Sequence, residues 1–121
     1  MIPQVSPSQF SSWRDSVLAS LDDSSSKASK PVVLDVREPW ELQTACIQED
    51  GFKLLRIPMR EVPERLAELD PSQPVACLCH HGMRSLQVAN FLLQSGFTEV
   101  VNLQGGIDAW SRELDPSVPR Y

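Results

Sequence analysis

Several things are scarce in this sequence, and each scarcity removes a class of function. Lys and Arg number 11 against 16 Asp and Glu, for a net charge of -5 and a pI near 4.9, and no basic run exceeds a couple of residues. A nucleic-acid or anionic-membrane surface is therefore not expected. No segment approaches the ~18 consecutive apolar residues of a spanning helix, and the opening MIPQVSPSQF has neither a basic leader nor a long apolar stretch. A soluble, cytosolic protein is the expectation. The three cysteines, Cys46, Cys77 and Cys79, are odd in number and form no disulfide framework, which suits a reducing compartment. The only two histidines, His80 and His81, adjoin Cys77 and Cys79 at no usual zinc spacing and have no second half elsewhere, so no structural metal is expected. Gly105-Gly106 stands without a G-x-G-x-x-G or Gly-Lys-Ser pattern, which leaves a nucleotide cradle weakly supported. At 121 residues the chain reads as one domain, 1–121.

What is present centres on Val75 to Ser85, VACLCHHGMRS. A short apolar run ends in Cys79, and a turn containing Gly82 leads into apolar residues at helical spacing: Leu86, Val88, Ala89, Phe91, Leu92 and Leu93. Ser95-Gly96 closes that helix. Cys79 thus precedes a helix N-terminus, where unpaired N–H groups and the dipole favour an anion, and Arg84 adds a positive charge. Such surroundings favour thiolate over thiol, so Cys79 reads as a nucleophile. Four residues separate Cys79 from Arg84. A ring this small suits one extra sulfur atom better than a tetrahedral phosphate ester.

Elsewhere the chain alternates strands and helices. Ile2 to Val5 forms an edge strand, and Ser6-Pro7-Ser8-Gln9 starts a helix with Phe10, Trp13, Val17 and Leu21 on its packing face. Asp22 to Lys30 is a serine-rich polar loop with no function assigned. Val32 to Asp35 is a strand buried on both faces, followed by a short helix from Glu38, and Asp35 pairs with Arg37 as scaffold rather than with Glu38 or Glu41 as an acid-base couple. Phe52 to Ile57 is a strand, EVPERLAEL a short helix with Val62, Leu66 and Leu69 inward, and Thr98 to Leu103 the last strand. The final helix runs from Ile107 to Leu114, and DPSVPRY, about 115–121, is a loosely held tail. Cys46 reads as a small packing residue and Cys77 as a neighbour of Cys79 along its strand. Five strands alternating with helices imply a three-layer α/β/α fold on a parallel sheet.

Three motifs, LDVREPWE at 34–41, CHHGMRS at 79–85 and LQGGIDAW at 103–110, together resemble the rhodanese family in its order. The resemblance covers about Ile2 to Leu114 as a single rhodanese unit. It implies strand order 1-5-4-2-3, a mainly structural role for Asp35, Arg37, Gly105, Gly106 and Trp110, and a persulfide-holding loop of Cys79, His80, His81, Gly82, Met83 and Arg84. The family's Gly-His-Ile signature is missing, replaced here by QTACIQEDGFKLLRIPM. The expected activity is sulfur transfer through a Cys79 persulfide, from a small anionic donor such as thiosulfate to cyanide, a thiol or a protein acceptor. Arg84 would attract the donor, and no cofactor or metal is called for. A non-turnover sulfur carrier, a cysteine-dependent phosphatase or arsenate reductase, and a redox protein using Cys77 or Cys46 stay open as alternatives.

Overall fold

The computed structural model describes residues 2–20, 30–49 and 51–119. Five parallel strands, β1 (Gln4–Val5), β2 (Val32–Asp35), β3 (Lys53–Arg56), β4 (Val75–Leu78) and β5 (Val100–Leu103), stand in the order β1-β5-β4-β2-β3. This is the expected order. The register sets Asp35 level with Leu78, so β2 and β4 deliver Arg37 and Cys79 to the same edge of the sheet.

Alternation along the strands divides the core in two. Val32, Leu34, Val75, Cys77 and Val100 face the side covered by α3 (Met83–Gln94), whereas Val33, Ala76, Leu78, Val101 and Leu103 face α1 (Pro7–Ser20) and α4 (Gly106–Glu113). Phe10 anchors the second side, edge-on to Trp110 at 5.2 Å and to Phe52 at 5.4 Å. Trp110 is therefore the packing residue expected of it. Each such ring or aliphatic side chain contributes about 1.5–3 kcal/mol on full burial, and both layers are needed because β2 and β4 are buried along their whole length.

Helix ends follow local chemistry. The Ser6 N–H donates to Gln9 Oε1 at 3.1 Å ahead of α1, the return half of the expected capping box. α3 stops at Gly96, whose φ of 99° lets Gly96 N–H reach the Leu93 carbonyl and Phe97 N–H the Leu92 carbonyl. The short helix α2 (Pro39–Thr44) begins in a capping box of Glu38 and Glu41.

Two expectations need correction. EVPERLAEL is not an α-helix: Met59–Glu61 and Leu66–Glu68 are separate 3-10 turns, and Leu66 is only half-buried while Val62 and Leu69 are buried. Arg65 N–H still reaches the Glu61 carbonyl across Pro63, but the N–H groups of Glu68 and Leu69 bond the carbonyls of Arg65 and Leu66, i→i+3, and so short a segment forms too few bonds to offset a helix nucleus. The stretch after Asp115 is docked rather than loose as far as it is described. Val118 is buried, and its carbonyl accepts the Ser111 hydroxyl at 2.6 Å. Leu21 and residues 22–29 of the serine-rich loop lie outside the described residues, as do Arg120 and Tyr121.

Candidate active site

β4 ends at Leu78, and Cys79 begins the turn that feeds α3. Cys79 is buried, with its sulfur facing a backbone N–H and a hydroxyl. The Gly82 N–H lies 3.0 Å from Sγ and the Ser85 hydroxyl oxygen 3.3 Å. Gly82 reaches that position at φ 101°, a left-handed conformation that costs L side chains dearly, and an added Cβ would sit 3.2 Å from the Gly105 nitrogen.

The Gly105-Gly106 pair holds the loop from behind. The N–H of Ile107 donates to the Cys79 carbonyl at 2.8 Å and that of Asp108 to the His80 carbonyl at 3.1 Å. In a trans peptide the N–H opposes the C=O, so tying these carbonyls to α4 turns the N–H groups of His80 and His81 away from it. A Cβ on Gly106 would collide with both carbonyl oxygens. Gly105-Gly106 is thus a close approach of two backbones and not a phosphate cradle.

Arg84 does not stand free over the loop, as the sequence led us to expect. Its guanidinium grips the Glu41 carboxylate in two bonds of 2.7 and 2.9 Å, and Glu41 is only 2 % exposed. Because α2 brings an acid to the same place, the local charge is cancelled and Arg84 fixes the loop to α2. The Glu41 carbonyl meanwhile accepts Arg37 Nη1 at 3.3 Å, and Arg37 is itself forked onto Asp35 at 2.9 and 2.7 Å with both side chains fully buried. Asp35 and Arg37 therefore form the expected scaffold, with Glu41 joining it to Arg84.

The remaining sequence-selected residues divide plainly. Met83 is 71 % exposed at the start of α3, and Trp40, next to Glu41, is 62 % exposed. His80 is half-buried and His81 exposed; their rings stack at 3.9 Å and 23°. With Asp108 they bring ligand-type atoms within 4.8 Å of one another. Stacked imidazoles point their in-plane lone pairs side by side, however, so they do not converge on one ion. Cys77 is completely buried, and that burial, with a smaller contribution from Cys79, pushes its thiol far up from the ordinary range, which makes it inert. Cys46 is half-buried on the other side of the sheet, its sulfur accepting Arg56 Nη2 at 3.2 Å. It does not join the Cys79 site.

Three residues of the site escaped the sequence reading: Glu41 as the Arg84 partner, Ser85 as a contact of the sulfur, and Asn102. Asn102 is 1 % exposed on β5 and bonds Ser85, Gly82 and Gln4. A polar residue within the apolar run Val100-Val101-Asn102-Leu103 was the available signal, since such a group is buried only when it is bonded. Among the described residues no helix is long and apolar enough to cross a membrane.

This arrangement agrees with comparisons to known proteins. A chloroplastic rhodanese-like/PpiC domain-containing protein 12 of Arabidopsis thaliana is 42% identical over 93 residues, covering 74% of this chain but only 30% of that protein's length. A sulfurtransferase of Allochromatium vinosum is 36% identical over 87 residues, 72% of this chain and 78% of the relative. The crystal structure of a rhodanese-related protein from Thermoplasma volcanium superposes with a TM-score of 0.71 at 28% identity, covering 98% of this chain and 99% of that one. Residues 16–113 match the Rhodanese-like domain. With its strand order, its loop and its relatives in agreement, the chain belongs to the rhodanese-like family.

Proposed function

We propose that the protein is a sulfurtransferase that carries sulfane sulfur on Cys79, taking it from a small anionic donor such as thiosulfate and giving it to cyanide or a thiol. The observation that carries this reading is the placement of a buried sulfur 3.0 Å from the Gly82 N–H, at the centre of a loop with four residues between Cys79 and Arg84. In the first half-reaction the Cys79 thiolate attacks the outer sulfur of the donor. An S–S bond forms to Cys79, the donor's own S–S bond breaks, and its electron pair leaves with sulfite. In the second, a nucleophilic acceptor attacks the outer sulfur and Cys79 departs as thiolate. Backbone N–H groups stabilise the charge on the persulfide, and no redox partner is consumed.

Donor attraction rests on those N–H groups and the α3 N-terminus, because Arg84 is neutralised by Glu41. The same pairing argues against a phosphatase. That chemistry asks for a cation aimed at the equatorial oxygens of the transferring group, and here both outer nitrogens of Arg84 are taken. The test is a direct comparison of thiosulfate:cyanide sulfur transfer with aryl phosphate hydrolysis. Sulfur transfer with negligible phosphatase turnover is expected; phosphatase turnover comparable with sulfur transfer would overturn the assignment.

A further inference from the structure

Behind the loop lies a hydrogen-bond chain that fixes where one proton sits. The Asn102 Nδ2 donates to the Gly82 carbonyl at 3.1 Å and to Gln4 Oε1 at 3.0 Å. A backbone carbonyl only accepts, so the amide nitrogen must face Gly82 and the amide oxygen must face Ser85. That oxygen is 2.5 Å from Ser85 Oγ, a short contact between two acceptor atoms unless the Ser85 proton lies between them. Ser85 has a single hydroxyl proton. With that proton on the Asn102 side, the oxygen presents a lone pair to Cys79 Sγ at 3.3 Å, an arrangement suited to a protonated sulfur, and the uncharged inner sulfur of a persulfide is too weak an acceptor to draw the proton back.

We infer that Asn102 is a positioning residue that competes with the Cys79 sulfur for the Ser85 hydroxyl proton. When Sγ becomes a thiolate, the hydroxyl turns to donate to the charged sulfur and its bond to Asn102 is lost. When the S–S bond forms, the charge moves to the outer sulfur and the proton returns to Asn102. Asn102 therefore favours the persulfide and resists the free thiolate, biasing the cycle toward sulfur retention between donor and acceptor encounters. No bond other than a hydrogen bond changes partner, so nothing is oxidised or reduced by the switch. The inference rests on Cys79 being the sulfur-bearing residue.

Other groups near the loop have their own states. His80 and His81 lie within it, Arg84 is paired with Glu41 and Arg37 with Asp35, Cys77 lies on β4, and Asp108 lies on α4 beside the histidines. A Cys79→Ser control separates their titrations from that of the sulfur.

The experiment follows the Asn102 side-chain amide by NMR across pH, together with the alkylation rate of Cys79 by iodoacetamide. In the wild type the amide resonance should shift in step with the alkylation rate. In Cys79→Ser that shift should vanish, and in Ser85→Ala it should vanish while Cys79 still reacts, about tenfold more slowly because the thiolate has lost a donor. Asn102→Ala should give an alkylation rate about threefold higher, relative to its own background, in the wild type than beside Ser85→Ala, where only its bond to Gly82 is lost. An amide resonance blind to Cys79, or one that still tracks it in Ser85→Ala, overturns the inference. So does an Asn102→Ala variant that slows alkylation equally in both backgrounds, since Asn102 would then only brace Gly82. These readouts need no sulfur donor, so a protein inactive in sulfur transfer but with the expected resonances would cost the proposed function and leave the switch standing.

Discussion

Two neighbouring strands end in polar chemistry at the same edge of the sheet, and they resolve it in opposite ways. At the end of β2, Asp35 and Arg37 are locked together with no exposure, each satisfied by a permanent partner. Beyond β4, Cys79 is equally buried, yet its sulfur faces a backbone N–H and a hydroxyl whose single proton has two possible recipients. The first arrangement is saturated and therefore structural. The second is prepared for a charge that comes and goes, which is what a carrier of sulfur requires. Glu41 links them, giving its carbonyl to Arg37 and its carboxylate to Arg84.

The contrast is broken most severely on the β2 side. Arg37→Ala strands a buried carboxylate at Asp35, and a loss of about 3–5 kcal/mol is expected in chemical denaturation; a change below about 1 kcal/mol would mean that the pair is not the scaffold described. Cys79→Ser should by contrast leave stability nearly unchanged. Next comes Gly106→Ala, whose Cβ meets the carbonyls of Cys79 and His80. Sulfur transfer should fall by roughly two orders of magnitude, because a displaced loop misplaces every donor at once. Near-wild-type transfer would show that the α4 contact does not set the loop's shape.

Glu41→Gln tests the bridge between the two regions. It should cost about 1–3 kcal/mol of stability through the lost charge-assisted bonds, and it leaves Arg84 with uncompensated charge. The KM for thiosulfate should then drop relative to that for a neutral sulfur donor. Arg84→Ala combined with Glu41→Gln, which removes both charges at once, should impair both donors alike. A selective loss for thiosulfate in that double variant would restore Arg84 as the donor's electrostatic partner.

The smallest effect concerns Cys77. Its folded-state pKa is raised by burial, so its contribution is intact below the pH at which an unfolded cysteine ionises and is lost progressively above it, because only the unfolded chain gives up the proton. Stability should decline at alkaline pH, and Cys77→Ala, though less stable throughout from its lost packing, should show a shallower decline. Identical slopes would mean that Cys77 ionises in the folded state.

How much was legible beforehand follows from how local each feature is. The strand-turn-helix around Cys79, the glycine cap at Gly96 and the Asp35–Arg37 pair rest on neighbours in sequence, and each could be read from a few residues. The strand order came through the resemblance, since alternation of strands and helices does not select one order. What stayed hidden depends on distant partners. Glu41 and Arg84 are 43 positions apart, and Ser85 and Asn102 are 17 apart. Arg84 therefore read as a free cation, and Asn102 as part of an apolar strand. The helix expected over EVPERLAEL breaks into two 3-10 turns, which apolar spacing over so short a segment does not distinguish from one helix.

If Cys79 alone carries the sulfur, intact mass with peptide mapping after thiosulfate exposure should show a gain of one sulfur atom located on Cys79, removed by cyanide and absent in Cys79→Ser. A sulfur located on Cys46 or Cys77, or a protein that gains none, would contradict that assignment.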